Sequence, residues 1–258
     1  MSHQLGPAAY VDLAVLGTVV RVHLDNPADR EAVESPWELC LLPGDLEVPS
    51  ERIVTLPATP DGPSRLVSLT TLTQDVTRSA IRAQSGRLLM FHAGALSNLE
   101  SGATVAYVAP GGTGKTTIAK TLGAGRGYVT DETVGVTLDG AVVPYPKPLS
   151  VRRAGGGKDE VAPSRLGLQP PSADPWLAGL LVVRRDPEHA GPPIDRAVDL
   201  LDAITLLAPE TSALAELPAP LRNCRDVIER VGGVRHVLYR EAHQLDELVA
   251  EVLRRTRP

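Results

Sequence analysis

The segment Ala109-Pro110-Gly111-Gly112-Thr113-Gly114-Lys115-Thr116 decides how the rest of the chain is read. It follows ATVAYVA (103–109), whose apolar, partly β-branched run predicts a strand. It precedes Thr116–Leu122, which predicts a helix stopping in the glycines 123, 125 and 127. Strand, glycine-rich turn, Lys-Thr and helix in that order match the phosphate loop G-x-x-x-x-G-K-[ST], with Ala109 replacing the first glycine. Ala109 ends the strand and is not expected to touch phosphate. Gly111, Gly112 and Gly114 let the backbone wrap closely and aim its N–H groups at phosphate oxygens. The start of the helix adds partial positive charge. In such a loop Lys115 reaches the β- and γ-phosphates and the Thr116 hydroxyl ligates Mg²⁺. The candidate nucleotide-binding residues are therefore Pro110, Gly111, Gly112, Thr113, Gly114, Lys115, Thr116 and Thr117.

A phosphate loop needs an acid to organise the metal or the attacking group, and two candidates compete. Asp131-Glu132 follows the short strand Tyr128–Thr130, one strand–helix–strand unit from the loop, where neighbouring parallel strands would bring both ends together. Asp186 follows the more apolar LLVVRR (180–185), but Arg184 and Arg185 intervene, and paired cations beside a metal acid are unusual. Asp131-Glu132 is favoured, against the bland reading of two solvated acids opening a turn. His92 lies on RLLMFHAGAL (87–96), the strand expected before the loop strand. Alone it reads as a hydrogen-bonded core histidine; its interest comes from the company it keeps. Lys147, Arg152 and Arg153 either grip phosphates or an acidic substrate, or are surface cations flanking a loop.

Outside this segment the chain reads as a small β-rich part (1–69) followed by an α/β part (70–258). VDLAVLGTVVRVHLD predicts a strand pair around Gly17, with Asp12 breaking its apolar run. Asn26–Pro36 reads as a loop, and the prolines between 43 and 63 as breaks between short strands. A helix is expected over Thr70–Gln84. VGVTL-DG-AVVPY reads as a hairpin turning at Asp139-Gly140. The polar, glycine-rich stretch 152–174 is expected to be a long loop, a candidate for substrate contact and closure. LAGLLVV (177–183) predicts a buried strand, 195–207 and 219–231 helices, and VRHVLYR (234–240) a strand. Leu245, Leu248, Val249, Val252 and Leu253 form the apolar stripe of a last helix.

Composition sets the outer limits. The chain has 258 residues, 43% of them hydrophobic and 22% charged, enough for a sizeable core and too ordered a mixture for a coiled coil, collagen or disordered scaffold. Aromatics are 3%, so the core is built from Val, Leu, Ala and Ile. A net charge of −5 argues against nucleic acid as the main partner. Cys40 and Cys224 are too few for a disulfide scaffold or a zinc cluster and read as buried thiols of a reducing compartment. The amino terminus lacks a basic region before its apolar run, and no apolar stretch is long enough to span a membrane, so a cytoplasmic location and no membrane partner are expected.

FHAGAL (91–96), APGGTGKTT (109–117), YVTDE (128–132) and PYPKPL (144–149), taken in that order, resemble the catalytic domain of HPr kinase/phosphorylase and its relatives, which include kinases of lasso-peptide precursors. The similarity covers roughly residues 70–258. It implies a P-loop NTPase-type core related to phosphoenolpyruvate carboxykinase, ATP and Mg²⁺ as cofactors, and phosphorylation of a serine hydroxyl. His92 matches the family's histidine before the loop, and Lys115 and Thr116 its phosphate and metal residues. Asp131-Glu132 stands where the family has two aspartates, the second of them the proton acceptor, which makes Glu132 the base and Asp131 the metal-side acid. The family's later signature, which serves phosphorolysis, has no match here, so kinase activity without the reverse reaction is expected. The family's habit of assembling makes a homo-oligomer an expectation as well. The acceptor is read as a Ser/Thr hydroxyl of a peptide or protein. The rival readings are a small-molecule kinase for a sugar or amino-acid hydroxyl, and a nucleotide-binding ATPase switch without an acceptor. No Asn-Lys-x-Asp motif points to guanine, and neither HRD nor DFG points to a eukaryotic-type protein kinase.

Overall fold

The structure, a computed structural model, describes residues 9–43, 46–59 and 62–257. They sort into two compact units, Met1–Ala83 with Lys147–Pro163, and Gln84–Pro146 with Ser164–Pro258.

In the first unit β1 (Ala9–Val15) and β2 (Thr18–Leu24) pair antiparallel, as their alternation predicts, and the chain reverses through Leu16 and Gly17, both at positive φ. Asp12 does not interrupt the strand. The register sets it opposite Arg21, whose guanidinium grips both carboxylate oxygens at 2.7 Å, so the buried charge is paired. The expected loop after Asn26 holds a 3₁₀ turn, capped by the Asn26 side chain, and α1 (Arg30–Glu34). β3 (Leu41–Leu42) and β4 (Ile53–Leu56) complete a sheet of order β3-β1-β2-β4. α2 (Pro63–Gln84) begins seven residues before the expected Thr70, because a proline in the first helical turn loses no hydrogen bond and fixes a helical φ. Residue 69 therefore lies inside a continuous helix, and the division between units falls at Ala83/Gln84, not at 69/70.

The second unit opens with β5 (Leu89–Ser97), β6 (Ala103–Val108), α3 (Lys115–Leu122), β7 (Gly127–Thr130), β8 (Thr133–Val136) and β9 (Val142–Val143). β8 and β9 form the expected hairpin, with Gly140 at positive φ in its turn. The chain then returns to the first unit for β10 (Leu149–Arg152) and β11 (Lys158–Val161), which pair across Gly155–Gly157. Most of the stretch expected to be a loop is thus a hairpin followed by a 3₁₀ turn at Pro163–Leu166. Back in the second unit come β12 (Trp176–Arg185), β13 (Ile194–Val198), α4 (Leu200–Leu207), β14 (Thr211–Ser212), α5 (Pro220–Arg230), β15 (Val234–Tyr239) and α6 (Asp246–Leu253). The helix expected from 195 starts only after Asp199, whose side chain caps it by accepting from the Asp202 amide. Residues 194–198 are instead a charged, exposed edge strand.

The main sheet has the order β13-β15-β12-β6-β5-β8-β9, with β7 and β14 also paired to β5. β15, β12 and β6 are parallel, and β12 is buried without interruption from Trp176 to Val183, as a parallel strand covered on both faces must be. Residues of α4 and α5 (Ala203, Leu207, Val227, Ile228) pack on one face against Phe91, Val108 and Leu180. On the other face Ile118 and Leu122 of α3 and Val249, Val252 and Leu253 of α6 pack against Leu96, Val105 and Tyr107, as the last helix's stripe predicts. The chain is a mixed α/β fold built on mixed sheets. Cys40 and Cys224 are buried free thiols. Among the described residues no helix is long and apolar enough to cross a membrane.

Candidate phosphate site

The glycine-rich turn joins β6 to α3 on the main sheet, the strand–turn–helix arrangement the sequence calls for. Gly112 (φ 80°) and Gly114 (φ 100°) occupy the left-handed region that side chains avoid. Gly114 is also the N-cap of α3 and offers no side chain to its first-turn N–H groups. Those donors, with the helix dipole behind them, favour an anion. Thr113 is turned inward on the loop itself, its hydroxyl donating to the Pro110 carbonyl at 2.7 Å. Thr117 continues the first turn of α3.

Lys115 is 7% exposed. Its ammonium donates to the carbonyls of Ala109 (2.5 Å) and Pro110 (3.1 Å) and lies 3.1 Å from His92 Nε2. Burial lowers its pKa and the charges of Glu210, Asp131 and Glu132, in that order, oppose the shift, leaving it at about 8. His92 sits on β5 beside the loop: a Cβ on Gly111 would come within 3.8 Å of its ring. Its Nδ1 is 2.9 Å from Glu210 Oε2.

Of the two competing acids, the structure brings Asp131 to the loop. Thr116 Oγ1 donates to Asp131 Oδ2 at 2.6 Å, and Tyr128 OH donates to Oδ1 at 3.1 Å. The route differs from the expected one. β7 runs parallel to β6, but β5 lies between them; the parallel neighbour of β6 is β12. Asp131, the residue directly after β7, nonetheless meets the start of α3 through its bond from Thr116. Glu132 is half-buried, its amide donating to Thr130 Oγ1 and its carbonyl accepting from the Ala93 amide at 3.1 Å. Asp186, at the end of β12, caps its own turn by accepting from the Glu188 amide at 3.0 Å.

Lys147, Arg152 and Arg153 belong to the other unit. Lys147 is not a surface cation: it is 1% exposed, and its ammonium donates to the Pro148 carbonyl at 2.7 Å. Arg152 and Arg153 are exposed at the β10–β11 turn, where Arg153 pairs with Asp159. Sequence reasoning missed Glu210 and Tyr128. Tyr128 stands three residues before the acid it holds, a signal open to inspection; Glu210 is 118 positions from His92, and nothing local marks it.

Thr116 Oγ1 and Asp131 Oδ2 form a pair of adjacent hard oxygens, the donor chemistry that fits Mg²⁺ held by one or two protein ligands and substrate phosphates. Among the described residues there is no cluster of three or more His, Cys, Asp or Glu that would make a dedicated metal cage. No family model matches the chain, and no curated protein matches it.

Proposed function

We propose that this chain is an HPr-kinase-like, Mg-ATP-dependent phosphotransferase, with a P-loop NTPase-type core, that moves the γ-phosphate to a Ser/Thr hydroxyl of a peptide or protein. The observation carrying this reading is the Thr116–Asp131 contact one residue from the buried Lys115, which sets a hydroxyl, a carboxylate and an ammonium around one glycine-rich helix start. Phosphoryl transfer asks mainly for positioning and charge stabilisation, and these groups supply both. Bound Mg²⁺ would neutralise charge on the β- and γ-phosphates, held by Thr116 and Asp131. Lys115 and the amides of Gly112–Lys115 bind the phosphate tail. Asp131, with both carboxylate oxygens engaged, keeps its metal-side role. Glu132, the next residue, accepts the proton of the acceptor hydroxyl.

The test is incubation with Mg-ATP and a panel of peptides and hydroxyl-bearing metabolites, read by mass spectrometry for a phosphate mass gain. A labelled peptide is expected. A labelled metabolite alone would make it a small-molecule kinase, and ATP hydrolysis indifferent to every acceptor would make it an ATPase switch. Lys115→Ala should abolish transfer, and Glu132→Gln should lower kcat by about 10²–10⁴-fold while ATP binding persists. Near-normal turnover of Lys115→Ala would defeat the assignment of the loop.

A further inference from the structure

Glu210 enters the site by a route no sequence motif describes. β6 leaves the sheet at Val108 to form the glycine-rich turn, and β14 pairs with β5 over the stretch that follows, Thr211 opposite Phe91 and Ser212 opposite Met90. Continuing that antiparallel register by one residue sets Glu210 opposite His92, and their side chains meet at 2.9 Å. The Thr211 hydroxyl donates to the Leu207 carbonyl at 2.7 Å and pins the turn that presents Glu210.

The hydrogen-bond inventory then fixes a proton. An ammonium has three donors and no acceptor. Lys115 spends two on the Ala109 and Pro110 carbonyls, and the third faces His92 Nε2 at 3.1 Å. Nε2 must therefore be bare, so the imidazole proton sits on Nδ1, where Glu210 accepts it. A carboxylate that sets the tautomer of a functional imidazole is a recurrent device of catalytic and metal sites. Here the far nitrogen addresses the lysine of the phosphate turn.

We infer that Glu210 is a positioning residue of the phosphate site: it holds His92 as the Nδ1–H tautomer, so that a bare Nε2 serves as the third acceptor of the Lys115 ammonium and fixes it at the mouth of the loop. When a triphosphate arrives, its oxygens replace His92 as the third acceptor, and the lysine moves little. This rests on the phosphotransferase reading for its consequence in catalysis, but not for the proton's place.

The experiment pairs two measurements on the full chain. Nitrogen-15 NMR of the imidazoles, with His92 assigned by its loss in His92→Gln, reads the tautomer without any nucleotide. Steady-state kinetics with Mg-ATP reads the consequence. The wild type should show a protonated Nδ1 and a bare Nε2. Glu210→Ala should lose that tautomer and lower kcat by about 10–100-fold, the usual cost of removing such an orienting partner, with the KM for ATP little changed. Glu210→Gln, whose amide oxygen still accepts from Nδ1, should keep the tautomer and most of the rate, a rescue that separates positioning from a merely structural role. A folded Glu210→Ala chain with an unchanged His92 tautomer, or with a changed tautomer and wild-type kcat, overturns the inference. A wild type that transfers no phosphate overturns the kinase reading instead, and the NMR result then decides the proton's place by itself.

Discussion

Lys115 shows how one side chain can be both buried and charged at the cost of a depressed pKa. Burial drives the amine down, the carboxylates of Glu210, Asp131 and Glu132 hold part of that fall back, and the balance leaves it at about 8. The folded amine releases its proton at a lower pH than an exposed lysine does, so its charge is present below about 8 and lost as pH rises through it. If the chain is the phosphotransferase proposed above, that loss should appear as an alkaline limb in kcat/KM for ATP, with its midpoint near the Lys115 pKa of about 8. A profile flat to beyond pH 10, the ordinary lysine range, would show that the amine is not part of phosphate capture. The sign for stability is the converse: between pH 8 and the unfolded lysine's value, deprotonation removes a desolvation cost, so this residue's contribution to stability rises with pH.

At the scale of elements, the site depends on how tightly β5 and β6 sit against each other. Gly94 of β5 faces Tyr107 of β6 across the pair, and a Cβ there would lie 2.2 Å from the tyrosine ring. The tyrosine is fully buried, so it has little freedom to move aside. Gly94→Ala should cost about 1–3 kcal/mol of stability by overpacking, measurable as a lower urea midpoint, and an unshifted midpoint would mean that the strands separate easily. This pair also shows what the sequence makes legible. β6 and β12 carry near-continuous apolar runs and α6 a helical stripe, and these patterns announce them. β13 is a charged edge strand held partly by Arg235 reaching Asp195, so its alternation carries no apolar signal. α2 begins at a proline that reads as a break in sequence and as a first turn in structure. The loop, Lys115, Thr116 and Asp131 are visible because they lie within a short span of the sequence. Glu210 is invisible because strand pairing, not spacing, brings it to His92.

For the whole molecule, the chain's path matters more than its length. It builds the first unit with residues up to Ala83, leaves for β5–β9, and comes back between Lys147 and Pro163 before completing the second unit. The return hairpin turns through Gly155, Gly156 and Gly157, all exposed, with Gly156 and Gly157 at positive φ, and exposed Arg152, Arg153 and Lys158 flank it. Such a turn is where a protease finds extended, accessible backbone. Limited trypsin digestion is therefore expected to nick the chain first between 152 and 158. A nick there divides both units at once: β10 parts from β11 in the first, and β6 parts from its parallel neighbour β12 in the second. Each fragment then holds strands that the other must pair, so the two should elute together from a sizing column under native conditions and separate only in denaturant. Fragments that part on nicking would mean that each piece buries its own core, which the β6–β12 ladder at the centre of the main sheet forbids.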